Sequence, residues 1–408
     1  MKILVLAGGF DQIAFINELK HRGHEVYLAD YLDNPPAKNH VIKHYQVSTL
    51  DEQAIYELAS KENFDLITTA CTDQALLTVA RVSQKLKKYF YLDEDIAECV
   101  TNKSIMKSIL RKNDIATARY VVVDESDKTS TCDKIEHFPI MVKPCDCNSS
   151  KGVVKVNDKK ELLAALNEAF ILSRTNQAVI EEYIDGIEIS IDAWVEHGCA
   201  KVLSISKTNK IKENINAFTI FQSEYPVILT ENIKKQIYCV AEQISKVFRL
   251  NNSPLLIQAI VSGDKLYVIE FSARMGGGSK YKLIEYMTGI NIMEAYVNLI
   301  LGSAYQIPDA NLSSKYIELG YVYCHNGTIS RIIGFDKLKN AGVISEIFQY
   351  KLEGACIEKM VTSSDRILGF LIEADTKDCL LEKRKYILKQ VDILGMHNQS
   401  LMFKKCFE

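Results

Sequence analysis

Apolar positions in this chain fall in short bursts separated by glycines and polar turns. Residues 2–7, KILVLA, form an apolar run that ends in Gly8-Gly9. A helical spacing follows, with Ile13, Ile16 and Leu19 on one face, and Gly23 stops it. Residues 25–30, EVYLAD, read as a second strand. A strand, a helix and a strand in this order predict a parallel sheet. Leu66–Thr69 reads as a further buried strand, followed by a helix through Ala75–Leu86. Residues 1–95 therefore predict a small N-terminal α/β domain. Gly8-Gly9 offers amides at a helix start that suit an anion. The third glycine of a dinucleotide fingerprint is missing, so a plain strand-to-helix turn explains the pair equally well.

The pattern then changes. Residues 102–112 (NKSIMKSILRK) predict a helix, and 120–123 a strand. Residues 139–143 (PIMVK) form a strand ending at Pro144. A polar loop follows, Cys145 to Gly152, and 153–156 resumes a strand as the second arm of a long-tipped hairpin. Residues 161–173 are helical. Residues 178–184 and 187–195 flank Asp185-Gly186, a strong hairpin-turn signal. Residues 207–222 are polar and carry no clear period. Residues 234–248 are an amphipathic helix, and 283–301 another, broken near Gly289. Beyond Gly302 the pattern turns to short strands and turns, with Asn326-Gly327 as the clearest hairpin. Three units result: 1–95, 96–305 with a small lobe at about 113–184, and 306–408.

The most informative stretch is 256–278, LIQAIVSGDKLYVIEFSARMGGG. It reads as two strands around Ser262-Gly263-Asp264-Lys265. By the period of two, Leu266, Val268, Glu270, Ser272 and Arg274 share one face. A three-residue loop pairing Ser262 with Leu266 sets Gln258 opposite Glu270. One patch then holds a carboxylate, an amide oxygen, a hydroxyl and a guanidinium. Hard oxygen ligands beside a fixed cation suit magnesium carrying phosphates. A half-exposed hairpin with charged outer positions accounts for the same letters.

Composition narrows the options. The chain has 408 residues, 47% of them apolar, enough for two or three domains with ample cores. A net charge of -3 gives no footprint for nucleic acid. The first six residues are too short an apolar run for a signal peptide or a membrane span. Eleven cysteines without framework spacing predict a cytoplasmic protein with reduced thiols. Cys145 and Cys147 have no second Cys or His pair at zinc-ligand spacing.

Four features occur in order: Lys103, Lys143 with its Ser/Gly loop, Glu181–Glu188, and the hairpin with its glycine run. Together they resemble the ATP-grasp superfamily over roughly residues 1–305. Within it the likeness is to carbamoyl-phosphate-synthase-like L-amino-acid ligases; 306–408 only loosely resembles their C-terminal domain. The resemblance implies an α/β and α+β fold: an N-terminal parallel domain, a two-lobed ATP-binding domain and a small C-terminal α+β unit. It implies that Lys103 and Lys143 reach the nucleotide phosphates. At an effective dielectric of about 20, each such cation at 4 Å offsets roughly 4 kcal/mol of repulsion. Ser149, Ser150 and Gly152 match the loop that closes over the phosphates, although Cys145–Asn148 replace the usual earlier glycine.

Glu181, Glu182, Tyr183 and Ile184 match the strand linking the lobes, which takes the adenine edge. Glu188 matches the carboxylate for the ribose hydroxyls. Glu270 matches the bridging metal ligand, with Gln258 beside it. Ser272 stands where the pattern has asparagine. Arg274 matches the catalytic arginine that binds the transferred phosphoryl group. Gly276, Gly277 and Gly278 match the loop that gives amides to the substrate carboxylate or acyl phosphate. Asp73 and Lys207 border the acceptor pocket.

The reading is an ATP-dependent carboxylate–amine ligase. It passes through an acyl phosphate, releases ADP and phosphate, and uses ATP with magnesium, or manganese in its place. Its partners are small carboxylate and amine substrates, with neither nucleic acid nor membrane. The 306–408 unit is expected to cover the site or to form a homodimer contact. A bicarbonate-activating carboxylase and a non-catalytic ATP-binding module are the alternatives.

Overall fold

The computed structural model describes residues 1–147, 150–211, 218–303, 305–358 and 362–407. Among these the strands form four sheets. The first is parallel, in the order β3-β2-β1-β4. It is built from β1 (Lys2–Leu6), β2 (Glu25–Asp30), β3 (Lys43–Gln46) and β4 (Leu66–Thr68). The helix Phe10–His21 packs on it through Phe15, Ile16 and Leu19. Gly8-Gly9 is not an open anion cradle. The Gly8 amide donates to Asp30 Oδ2 at 2.7 Å, and Asp11 sets a carboxylate in the first helical turn.

A small antiparallel sheet, β5-β8-β6-β7, comprises β5 (Tyr120–Asp124), β6 (Ile140–Pro144), β7 (Val154–Val156) and β8 (Gln177–Glu182). The helix Lys159–Leu172 closes its back, burying Leu162, Leu166, Ala169 and Phe170 against Ile140, Val142 and Ile180. An eight-stranded sheet faces it. Five of its strands are β9 (Ile187–Glu196), β10 (Cys199–Lys210), β11 (Ile220–Tyr225), β12 (Ser253–Ser262) and β13 (Lys265–Ser272). The others are β14 (Tyr316–Val322), β16 (Glu346–Gln349) and β18 (Leu368–Ala374), in the order β13-β12-β9-β10-β11-β14-β18-β16. A three-stranded sheet holds β15 (Gly327–Ile333) between β17 (Cys356–Ile357) and β19 (Asp392–Gly395). The polar stretch 207–222, left unassigned from its letters, contains the end of β10 and the start of β11. No helix among the described residues is long and apolar enough to cross a membrane.

Two turn expectations are corrected. Asp185-Gly186 does not close a hairpin, because β8 lies in the small sheet and β9 in the large one. The glycine is needed for close approach instead. A Cβ on Gly186 would sit 2.3 Å from the Val261 carbonyl oxygen and 2.7 Å from an Ile260 methyl. Asn326-Gly327 is likewise a crossing: β14 pairs with β11 and β18, whereas β15 pairs with β17 and β19. Residues 306–408 therefore do not fold apart from what precedes them. Three of their strands continue the large sheet. The helical run 283–301 does break at Gly289, which has φ +73° between the helices Lys280–Thr288 and Ile292–Ile300.

The central hairpin reaches the expected pairing by another route. Ser262 pairs with Lys265, so Gly263-Asp264 is a two-residue loop, with Gly263 at φ +58°. A β-bulge then leaves Ile269 unpaired: Ala259 faces Val268, yet Gln258 faces Glu270. The bulge reverses the alternation. Leu266 and Val268 point into the apolar core with Phe271 and Ala273, against the expected shared face. Glu270, Ser272 and Arg274 stay together on the opposite side, where they line one recess.

Replacing Gly186 by alanine drives a methyl group into a main-chain oxygen. Urea unfolding followed by circular dichroism is expected to show a loss of roughly 1–3 kcal/mol. An unchanged midpoint would mean that the lobe crossing is not tightly packed.

Candidate functional site

The two facing sheets enclose a cavity of about 980 Å³. Its wall contains Lys103, Lys143, Ser150, Glu181, Glu182, Tyr183, Ile184, Glu188, Lys207, Gln258 and Glu270. Eleven residues singled out from the sequence thus meet in one space. Ser149 lies outside the described residues. Gly152 is not in the cavity wall. It has φ +70°, and a Cβ there would meet Leu172 at 2.6 Å and Pro144 at 2.8 Å, so it anchors the base of the loop. Ser150 donates to the Phe218 carbonyl at 3.3 Å, tying the loop to the start of β11.

Local structure fixes each lysine. The Asn102 side chain caps the helix Lys103–Lys112, accepting from the Ser104 and Ile105 amides at 2.9 and 3.3 Å. This sets Lys103 at the first helical position, its amide bonded to the Cys145 carbonyl at 2.8 Å. The Lys103 ammonium lies 3.3 Å from Glu270 Oε2 and also donates to the Cys147 carbonyl. Burial works to lower the pKa of Lys103, but Glu270 and Asp73 outweigh it, and the net shift is upward. Lys143, on β6, donates to Glu181 Oε2 at 2.7 Å. Lys107 reaches the other Glu181 oxygen at 3.0 Å. Lys107 was missed from the sequence, although it stands one helical turn from Lys103, on the same face.

Glu181 is 4% exposed. Burial alone would raise its carboxyl, but Lys143 and Lys107 prevail and hold it at about 2. Its neighbour Glu182 turns outward and takes the Arg119 amide and guanidinium at 2.9 and 2.7 Å. Glu188 is paired with Lys210, a second cation the sequence reading did not single out. Lys207, also in the cavity wall, lies 3.8 Å from Glu224.

A smaller recess adjoins the cavity. It shares Lys103, Gln258 and Glu270 with it and adds Asp73, Ser272 and Arg274. Asp73 opens the helix Asp73–Lys85 and grips Arg274 with both oxygens. Nε donates to Oδ1 at 2.7 Å, and Nη2 pairs with Oδ2. The Ser272 hydroxyl donates to the same carboxylate. Burial pushes the Asp73 carboxyl up, yet Arg274 and Ser272 overcome it and hold the group below its ordinary value. Asp73 was expected at the acceptor pocket; here it contacts the arginine. Beyond the recess runs the glycine loop. The amides of Gly278 and Ser279 donate to Asp11 at 2.7 and 2.8 Å, so the Gly278 amide is already engaged. Those of Gly276 and Gly277 meet no acceptor among the described residues.

Two lobes closing on a cavity rich in lysine and carboxylate define the ATP-grasp architecture, and residues 136–282 match the ATP-grasp domain family. Over those residues the chain carries an ATP-grasp domain, and it is similar to amino-acid ligases. It is 23% identical over 327 residues to an L-arginine-specific L-amino acid ligase of Bacillus subtilis, covering 78% of this chain and 76% of the relative. It is 26% identical over 219 residues to a D-alanine–D-alanine ligase of Thermosipho africanus, covering 49% of this chain and 56% of that enzyme. The match thus spans little more than half of the latter's length. The crystal structure of an L-amino acid ligase from Bacillus licheniformis superposes with a TM-score of 0.78 at 21% identity, covering 97% of this chain and 98% of that one.

The depressed Glu181 carboxyl makes stability depend on pH. Its folded value, about 2, lies below the ordinary 4.5, so its contribution is complete above about pH 4.5 and is lost as pH falls toward 2. The expected loss is roughly 3 kcal/mol across that window. Urea titrations at pH 5 and pH 3 should show a little over half of it, roughly 2 kcal/mol, in the wild type. Glu181→Gln should be less stable at pH 5 and show a weaker acid dependence. A variant as stable as the wild type at pH 5 would remove Glu181 from the account.

Proposed function

We propose that this protein is an ATP-dependent carboxylate–amine ligase. The observation that carries the reading is the meeting of Lys103, Lys143 and Glu270 at one interlobe cavity. The activities of the relatives, an L-amino acid ligase and a D-alanine–D-alanine ligase, support it.

In this reading ATP is a substrate. Its base lies in the apolar slot beside Met141, Ile184 and Ile260. The amides of Glu182 and Tyr183 already donate to Arg119 and Pro139 within the small sheet. That leaves the Ile184 amide as the donor of this segment for the adenine edge. Glu188 serves the ribose, exchanging Lys210 for two hydroxyls. Lys103 and Lys143 neutralise phosphate oxygens, and the 149–152 loop covers them. A substrate carboxylate oxygen attacks the γ-phosphorus as the bond to ADP breaks. The amine nitrogen then attacks the acyl carbon, phosphate leaves, and the amine proton passes to solvent.

The donor set suits magnesium. Glu270 and Gln258 stand opposite each other in register and present hard oxygens, and this ion ordinarily takes few protein ligands, with phosphates and water completing its shell. Bound there, it would supply charge neutralisation during phosphoryl transfer. Ser272, whose hydroxyl is engaged with Asp73, would be a weaker ligand there. Manganese suits the same oxygens. Arg274 holds the phosphoryl group, with Asp73 fixing its plane, while Gly276 and Gly277 give amides to the acyl group. Lys207, in the cavity wall, remains a candidate substrate contact.

Hydroxylamine traps an acyl phosphate as a hydroxamate. With ATP, magnesium and a panel of amino acids as carboxylate donors, the wild type is expected to give hydroxamate and ADP in equal amounts. Glu270→Ala should lower this at least 100-fold without altering the circular dichroism spectrum. Release of AMP and pyrophosphate instead would exclude the mechanism, and full activity in the variant would exclude Glu270 from it.

A further inference from the structure

Arg366 sits behind the glycine loop and was not singled out from the sequence. It enters from the segment just before β18, so it belongs to the C-terminal part of the chain. Its guanidinium lies over the ring of Tyr321, 4.0 Å from the centroid. It also touches the loop: a Cβ on Gly278 would fall 2.7 Å from its Nη1 and 2.8 Å from the Tyr321 hydroxyl oxygen. Gly278, at φ +70°, therefore leaves the room that Arg366 fills.

The polar groups around this arginine are engaged with the loop and with main chain. Asp11 takes the amides of Gly278 and Ser279. The Tyr321 hydroxyl donates to the Gly278 carbonyl at 2.7 Å. Tyr350 and Ser279 share a hydrogen bond at 2.8 Å, and the Tyr323 hydroxyl donates to the Ile220 carbonyl at 2.8 Å. The Arg366 Nε is fully buried and meets no acceptor among the described residues. No carboxylate among them forms an ion pair with the guanidinium, although Asp11 and the Tyr323 hydroxyl both act on it. An arginine cannot shed its charge, and a buried donor without an acceptor is costly. Such a group is retained where an anion arrives to meet it.

We propose that Arg366 anchors a free carboxylate, one not consumed in the reaction, on an amino-acid substrate held beside the Gly276–Gly278 loop. This rests on the ligase reading and adds the substrate class to it. The distances are compatible. Successive Cα atoms lie 3.8 Å apart, so Gly276 and Gly278 are separated by at most about 7.6 Å. A molecule spanning them carries its reacting group at one end and its anchored carboxylate at the other. That carboxylate belongs either to the amine donor, as in an α-amino acid, or to the activated substrate, as in a dicarboxylate. The shared chemistry is a planar anion on a forked donor.

The test uses the full chain with ATP and magnesium. Amine donors are offered as free L-amino acids and as their amides. Carboxylate donors, with hydroxylamine as the amine, are aspartate and glutamate against asparagine and glutamine. The wild type is expected to favour the free carboxylate roughly 10- to 100-fold in KM in one of the two comparisons. Which comparison shows it identifies the source. Arg366→Met should erase that preference, and Arg366→Lys should restore part of it. Tyr321→Phe, which removes only the hydroxyl holding Gly278, should keep it. Calorimetric titration of the same ligands into the ADP-loaded protein reads the preference without turnover. Preference by neither readout, or its survival in Arg366→Met, overturns the subsite. Absence of hydroxamate with every donor would count against the ligase reading, while the titration still decides the role of Arg366.

Discussion

The structure turns on opposite charges held together across the cleft. Lys103, Lys107, Lys143 and Arg274 supply four cations; Glu181, Glu270 and Asp73 supply three carboxylates. Each carboxylate holds a cation in a fixed geometry, and one positive charge is left over. Charges this close and this dry interact strongly, so the arrangement would fail if the carboxylates were absent. Glu181 accordingly acts as scaffold: it orients Lys143 while drawing Lys107 under the strand. A polyanion entering the cleft would meet cations that are already aimed.

Three parts of the chain converge on the smaller recess and its glycine loop. The parallel sheet contributes Asp73 and Asp11 from the starts of two helices. The large sheet contributes Glu270, Ser272 and Arg274 from a single strand and its extension. The C-terminal part adds Tyr321, Tyr350 and Arg366 around Gly278. The recess is thus shared, and its shape depends on how the three parts pack. Tyr91 strengthens this by donating to the Ala273 carbonyl at 2.8 Å, just ahead of Arg274.

Much of this was legible in the letters. The βαβ start and the pairing of Gln258 with Glu270 follow from spacing alone, and the lysine at each lobe from the family resemblance. The pairing is instructive because the route differed. A two-residue turn together with a bulge at Ile269 gives the same partner as a three-residue turn with none. The bulge also reverses the faces of Leu266 and Val268, which a strict period of two does not anticipate. Asp185-Gly186 and Asn326-Gly327 have hairpin sequences, but each chain segment beyond them finds a better partner in another sheet. Tertiary pairing overrides the local turn signal there. Lys107 was within reach of helical spacing. Arg366 and Asp11 were not, because the sequence carries no trace of the folding that brings positions 11, 278 and 366 together.

The order of the large sheet has a consequence for dissecting the chain. β11 is bonded to β14 along four register pairs, from Gln222–Gly320 to Tyr225–Ile317. A chain cut after residue 305 would lose that neighbour and expose a row of unsatisfied main-chain groups next to Lys207 and Glu224. Bare edges of this kind recruit strands from other molecules. The last hundred residues therefore act as a selvedge that keeps the large sheet from fraying into self-association.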